Sequence, residues 1–225
     1  MVQLQEDDSA PRVEDATERH ISLCGQVKGG EKYPPIINPT FNTFGTRRTE
    51  LKQAAKNLRA SRDSVKLQDT ILDDTLRNLH GRTKEYDRDN TGSNTNTFIF
   101  PDGNISGIVT LPNDVEPDAA HAIAQKVIAL GETHTLYPYA AQIEAQITKC
   151  REALKKEQDM ITAEGDARTA LTIAKVLLVR QYNANYFIAA SDVDKSFAEK
   201  LFPKLRPSKK KGDPETDETE EEAEK

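Results

Sequence analysis

Large apolar residues recur at every seventh position over residues 44–79. The six positions are Phe44, Leu51, Leu58, Val65, Leu72 and Leu79. This spacing, held over successive heptads, predicts one long helix with a narrow apolar seam along one side. We place the helix from near Thr46 to Gly81, because glycine is typical of the position that follows a helix. The six seam residues are predicted to be its helix-seam contacts.

The seam alternates between bulky and weak positions. Three or four residues after each large apolar side chain comes a small or polar one. These positions are Ala54, Ser61, Gln68 and Thr75. A helix with such a seam needs a partner of complementary bulk, within the chain or on a second copy.

The longest periodic stretch lies in the C-terminal half. It begins at Pro138 and reaches about Ala190, and its apolar stripe changes phase beyond Gly165. Such a change predicts a stutter, a kink or a break between two helices. This stretch is a candidate antiparallel partner for the seam helix.

Two shorter helices complete the helical pattern. One, over residues 114–130, has Pro117 in its first turn, where proline is favoured. The other follows Ser191 and Asp194, which have the spacing of a capping box, and ends at Pro203.

Residues 98–111, with the sequence FIFPDGNISGIVTL, carry the pattern of a β-hairpin. Phenylalanine, isoleucine and valine, which favour strands, flank the segment Pro101-Asp102-Gly103. Proline presets φ and glycine accepts positive φ, as a tight turn requires. Because an isolated hairpin is marginally stable, we expect it to pack on a helix or to pair with another chain.

These elements predict a mainly α protein. The expected fold is an elongated antiparallel helical bundle or coiled coil over residues 46–203, with one small β-hairpin at 98–111. Residues 1–20 are predicted to be a disordered acidic tail, because acids and small polar residues dominate them. Residues 21–45, with many glycines and prolines, are predicted to form an extended arm. Residues 204–225 are predicted to be a disordered tail, basic and then acidic.

The composition narrows the class of protein. Of the 225 residues 36% are hydrophobic and 30% charged, which suits helices that bury stripes rather than a thick core. The net charge of −6 comes mostly from the two ends.

The N-terminus has no signal-peptide pattern, and no apolar run reaches the roughly 20 residues of a membrane span. The only cysteines, Cys24 and Cys150, have no motif spacing and indicate a reducing, cytoplasmic setting.

Residue types that carry chemistry form no pattern typical of catalysis. The four histidines are dispersed, with no pair at metal-ligating spacing. The segment 87–92 resembles the start of a calcium-binding loop, but its twelfth position is Phe98, which cannot bind calcium. We therefore predict no catalytic residue, no metal site and no cofactor.

Positive charge is concentrated on the first half of the seam helix. Five of its basic residues are candidate nucleic-acid contacts, here called the basic face: Lys52, Lys56, Arg59, Arg62 and Lys66. A phosphate backbone would suit this charge. The competing interpretation is neutralisation within the chain by the acidic tails, or by Glu144, Glu152 and Glu157 on a neighbouring helix.

The function that these patterns favour is that of a non-enzymatic structural or interaction protein. It would assemble through its long amphipathic helices, with a second copy or another protein as partner. The alternative is a nucleic-acid-associated protein that uses the basic face.

Two further alternatives stay open. One is a helical ligand-binding protein or enzyme of unknown chemistry, with a site near four tyrosines: Tyr137, Tyr139, Tyr182 and Tyr186. The other is membrane insertion of the predicted hairpin, which polar residues such as Asp102 and Asn104 make less favourable.

Overall fold

The computed structural model describes residues 3–205. Within this range the chain forms seven helices: α1 Ala10–Gln26, α2 Pro34–Asp89, α3 Thr95–Ile99, α4 Ser106–Val109, α5 Glu116–Ile128, α6 Pro138–Asp192 and α7 Lys195–Leu201. The predicted mainly helical fold is therefore confirmed. The predicted tail over 204–225 lies outside the described residues from position 206 onward.

The β-hairpin predicted at 98–111 is wrong. Residues 3–205 contain no strand, and this segment forms the end of α3, a turn and the four-residue helix α4. The turn at 100–103 does occur, with Gly103 at φ 67° and its N–H donating to Phe100 O at 2.8 Å. The flanking apolar residues pack on α5 rather than pairing with each other, so the apolar content reflects docking and not strand formation.

The N-terminal region is more helical than its composition predicts. Part of the expected tail and part of the expected arm form α1, and residues 34–45 belong to α2. Helix α1 buries side chains at a three- to four-residue spacing, including Val13, Ala16, His20 and Cys24. The buried side of α1 includes a histidine and a cysteine rather than large apolar residues alone. The sequence of this segment therefore looks like that of a polar segment. Proline suits the start of α2, because first-turn amides have no helical acceptor.

Both long helices exceed their predicted bounds. Helix α2 continues through Gly81 to Asp89, and α6 continues through Gly165 from Pro138 to Asp192. The break considered at Gly165 is therefore absent. The next helix, α3, begins at Thr95. The carboxylate of Asp87 accepts its first backbone N–H groups, those of Thr95 and Asn96, at 2.9 and 2.8 Å.

The chain divides into two compact units. Unit 1 comprises residues up to 48 and from 169 onward, and unit 2 comprises residues 49–168. Helices α2 and α6 contribute residues to each unit. None of the helices in residues 3–205 combines the length and apolar character of a bilayer-spanning segment.

The core of unit 1 joins the N-terminal segment, α1, α7 and parts of α2 and α6. Its largest fully buried side chains are Leu4, Tyr33, Ile37, Phe44 and Tyr182. Phe202, which follows α7, closes the core by stacking on the His20 ring, with centroids 4.0 Å apart.

The core of unit 2 is built from α2, the segment 98–111, α5 and α6. Arg62 pairs with Glu157 at 3.3 Å, and Gln146 Nε2 donates to Gln68 O at 3.0 Å. As the contacting position on α2 rises from 62 to 68, its partner position on α6 falls from 157 to 146. The two helices therefore run antiparallel within this unit.

Candidate functional site

The predicted seam residues are covered by the chain itself. Phe44 lies in the core of unit 1, and Leu72 and Leu79 lie in the core of unit 2. Leu58 and Val65 are also buried, whereas Leu51 is partly exposed. Most of the seam therefore already packs within the chain.

An exposed apolar surface runs along the C-terminal half of α6, in unit 1. The most exposed side chains are those of Ile173 (57%), Leu177 (49%), Phe187 (57%) and Ile188 (36%). Together with the partly exposed Ala184 they lie on one side of the helix, here called the exposed stripe. The opposite side, with Ala174, Leu178 and Tyr182, packs into the core.

Few charges interrupt this part of α6. Between residues 170 and 191 only Lys175 and Arg180 are charged. Lys175 Nζ donates to Asp8 O at 2.8 Å, and Arg180 pairs with Glu6 at 2.9 Å. Both cations are paired with the N-terminal segment, but the Arg180 side chain stays 67% exposed, so the exposed stripe carries one paired charge among its apolar side chains.

The basic face is exposed to solvent along its whole length. All five side chains are exposed, and Lys52, Lys56 and Arg59 line an open groove. Arg62 pairs with Glu157 of α6, one of the three acids considered as neutralising partners. Of the other two acids, Glu144 bonds to His121 at 2.6 Å, and Glu152 lines a second surface groove.

A buried polar cluster lies in unit 1, formed by His20, Cys24 and Asn185. His20 Nδ1 lies 2.8 Å from Leu201 O, and Asn185 Nδ2 lies 3.4 Å from His20 Nε2. A carbonyl oxygen only accepts, so Nδ1 carries the proton, and Nε2 is left free to accept from the amide. This pattern specifies a neutral imidazole.

Cysteine, histidine and asparagine also form the catalytic set of one class of hydrolase, but the electrostatics here oppose catalysis. Burial raises the pKa of the Cys24 thiol to about 11. Burial also lowers the pKa of His20, against the opposing effect of the Leu201 carbonyl. A nucleophilic cysteine needs a thiolate next to a histidine cation, the reverse of this arrangement. The protonation states of His20 and Cys24 therefore differ from those of that catalytic set.

A cluster of three carboxyl groups lies in unit 2: Glu116 is buried, whereas Asp69 and Asp73 are partly exposed. Glu116, in the first turn of α5, is only 1% exposed. Burial, hydrogen bonds to Asp69 and Asp73, and their negative charges raise its pKa to about 9. The cluster borders a cavity of about 10 Å³, enough for about one water molecule.

The carboxyl cluster was not foreseen from the sequence. An acid in the first turn of a helix ordinarily faces solvent and favours the helix dipole. A signal was nevertheless present, since Asp69 and Asp73 flank the seam residue Leu72 and lie four residues apart on one side of α2. Among residues 3–205 no group of three or more histidine, cysteine or acidic side chains has an arrangement that could hold a metal ion.

The four tyrosines considered as a ligand site do not belong to one unit. Tyr182 and Tyr186 are buried in unit 1, whereas Tyr137 and Tyr139 are partly buried residues of unit 2. The tyrosines of unit 1 pack edge-to-face with Phe202, at centroid distances of 5.1 and 5.5 Å. These two rings contribute to the core.

Comparison of the chain with protein-family models, with curated proteins and with solved structures finds no match.

Proposed function

We propose that this chain is a non-enzymatic structural or interaction protein that associates with a second copy of itself through the exposed stripe. The observation that carries the proposal is the concentration of large, solvent-exposed apolar side chains on one side of α6. A group of exposed apolar side chains on one side of a helix is typical of interaction sites. Burying one leucine or isoleucine completely is worth about 1.5–3 kcal/mol, so a few such residues dominate an interface.

The pattern of the stripe favours a second copy as the partner. If two α6 helices pack antiparallel about a two-fold axis between positions 180 and 181, Ile173 faces Ile188 of the other copy. The same register places Leu177 opposite Ala184, so a large residue meets a small one. Self-complementarity of this kind is what a two-fold interface requires. The paired ends are about 22 Å apart along the helix.

Light scattering and sedimentation of the full chain test the proposed association. Leu177→Glu should weaken it at least tenfold, because a charge would replace a buried apolar contact. Asn42→Glu, which adds the same charge at an exposed position of unit 1, is the matched control. A wild-type chain that remains monomeric at high concentration would overturn the proposal.

Cysteine crosslinking tests the proposed register. The double variant Ile173→Cys with Ile188→Cys should form a disulfide between copies on mild oxidation, whereas either single variant should form little. The native Cys24 and Cys150 are buried and should not interfere. Small-angle scattering of the same sample measures the predicted elongated shape, and cell fractionation tests the predicted cytoplasmic location.

Nucleic-acid binding is the second candidate, favoured by the full exposure of the basic face. Lys52→Glu with Lys56→Glu and Arg59→Glu should then abolish retention of DNA or RNA at low salt. Each lost phosphate contact should reduce the slope of log K against log salt by about 0.9 for duplex DNA. Lys195→Glu, at an exposed position of unit 1, is the control. Wild-type protein that binds neither DNA nor RNA at low salt excludes this function.

A further inference from the structure

The Glu116 side chain is enclosed by elements that offer it no positive charge. Its Oε1 atom is buried and meets no hydrogen-bond donor. The charged groups that act on it are both acids, Asp69 and Asp73 of α2. Two carboxylates cannot bond to each other unless one oxygen carries a proton. The contact between α5 and α2 therefore requires a proton in this cluster.

Each element packed around Glu116 contributes named groups. On α2 Asp69 and Asp73 approach it, and the second of these pairs with Arg77 at 2.8 Å. On α6 the titratable group that lines the adjacent cavity is Cys150, whose thiol donates to Gln68 O at 3.5 Å. The remaining lining residues of the adjacent cavity are uncharged: Val65, Leu72, Asn113, Pro117 and Leu154.

The other charged groups of α5 are committed elsewhere. Asp118 pairs with Arg151 at 2.6 Å, and His121 bonds to Glu144 at 2.6 Å. Lys126 Nζ donates to Ile99 O at 3.1 Å. Both pairs with α6 lie at exposed or partly exposed positions and contribute little to stability. The contact of Glu116 is thus the buried polar link between α5 and the rest of unit 2 that depends on a proton.

We propose that Glu116 is a protonated latch, which holds α5 against α2 and α6 and releases it when the proton is lost. With the proton in place, Glu116 donates a hydrogen bond to an aspartate. Without it, the buried Glu116 carboxylate meets two further negative charges, and its desolvation together with their repulsion favours separation of α5. The raised pKa of Glu116, due first to burial and then to the two aspartates, agrees with this geometry.

The direction of the pH effect follows from proton linkage. Glu116 binds its proton more tightly when α5 is packed than when it is released, where an ordinary glutamate pKa near 4.5 applies. The latch is therefore fully effective below that ordinary value. It weakens as pH rises toward the pKa of about 9 in the packed state. Each pH unit between these values changes the opening equilibrium constant by up to about tenfold.

Hydrogen exchange of the full chain between pH 6 and 9 tests the latch. Opening equilibrium constants for α5 amides, after correction for intrinsic exchange, should rise steeply with pH in the wild type. In Glu116→Gln, which has nearly the same shape but no titrating group, they should be nearly independent of pH. In Glu152→Gln, a control acid at an exposed position of α6, they should keep the wild-type dependence. An equal pH dependence in wild type and Glu116→Gln would overturn the proposal, as would a flat wild-type profile.

Asp69→Asn provides the test if Glu116→Gln fails to fold. This variant removes one neighbouring negative charge and so should reduce the pH dependence of α5 opening. An unchanged dependence would contradict the latch. The readout is local to unit 2 and does not depend on self-association, so the latch and the proposed function can fail separately.

Discussion

Asn185 Nδ2 donates to His20 Nε2 across 3.4 Å, although the two residues are separated by 165 positions. His20 Nδ1 donates to Leu201 O at 2.8 Å, so both ring nitrogens are used by the neutral form. Protonation would turn Nε2 into a donor that faces an amide donor. The imidazole therefore keeps its hydrogen bond to α7 in either form, but it joins α1 to Asn185 of α6 only while it is neutral.

Acidification should consequently destabilise unit 1. Burial lowers the pKa of His20 below its usual 6.5, so the stabilisation is present above that value and is lost as pH falls below it. Hydrogen exchange of α1 and α7 amides between pH 8 and 5 should show increasing opening in the wild type. His20→Gln should be less stable at pH 8 by about 1–3 kcal/mol, but with a smaller pH dependence. If His20→Gln and the exposed-site control His121→Gln respond to pH equally, the pH dependence of unit 1 does not come from His20.

Both thiols should react slowly in the native protein. Cys24 and Cys150 are buried, and burial raises the pKa of each to about 11, with the charge of Glu116 contributing at Cys150. A thiol reagent such as Ellman's should modify them only slowly at neutral pH and rapidly in denaturant. Ser191→Cys, at an exposed position of α6, supplies the fast-reacting control. Fast native labelling of Cys24 would contradict its packed position.

Two leucines of α2 should differ sharply in their contribution to stability. Leu72, a seam residue, is 1% exposed, whereas Leu67 is 56% exposed. Leu72→Ala should lower the free energy of unfolding by about 2–5 kcal/mol, because it removes buried area and leaves a cavity. Leu67→Ala should change it by less than about 0.5 kcal/mol. Urea denaturation measures both, and equal effects would refute the seam as the buried side of α2.

The start of α7 offers a matched pair of polar variants. Asp194 accepts the N–H of Phe197 at 2.7 Å and is the N-cap, whereas Ser191 belongs to α6. Asp194→Ala should therefore destabilise unit 1 by about 1 kcal/mol. Ser191→Ala should have almost no effect. Thermal unfolding checks this expectation, and the opposite order would show that Ser191 caps the helix.

The segment 98–111 illustrates why the pattern of side chains alone was insufficient. Its phenylalanine and isoleucine residues suit a strand, but they suit a short docked helix equally well. The outcome depended on neighbours: Asp87 binds the first amides of α3, and α5 offers an apolar surface for Ile99 and Phe100. Neither contact is visible in the local sequence, because each joins separate parts of the chain.

The sequence by itself determined that the chain is mainly helical and where the central parts of its two long helices lie. That information is local, since a sustained apolar repeat and residues such as Pro117, Pro138 and Asp194 act on adjacent backbone. Only the tertiary structure decided which side chains become enclosed. Glu116 and His20 are polar residues whose burial depends on helices distant in sequence, and their protonation follows from that burial. The tertiary structure also decided which residues form the exposed stripe, because an apolar side chain stays exposed only when no other element covers it.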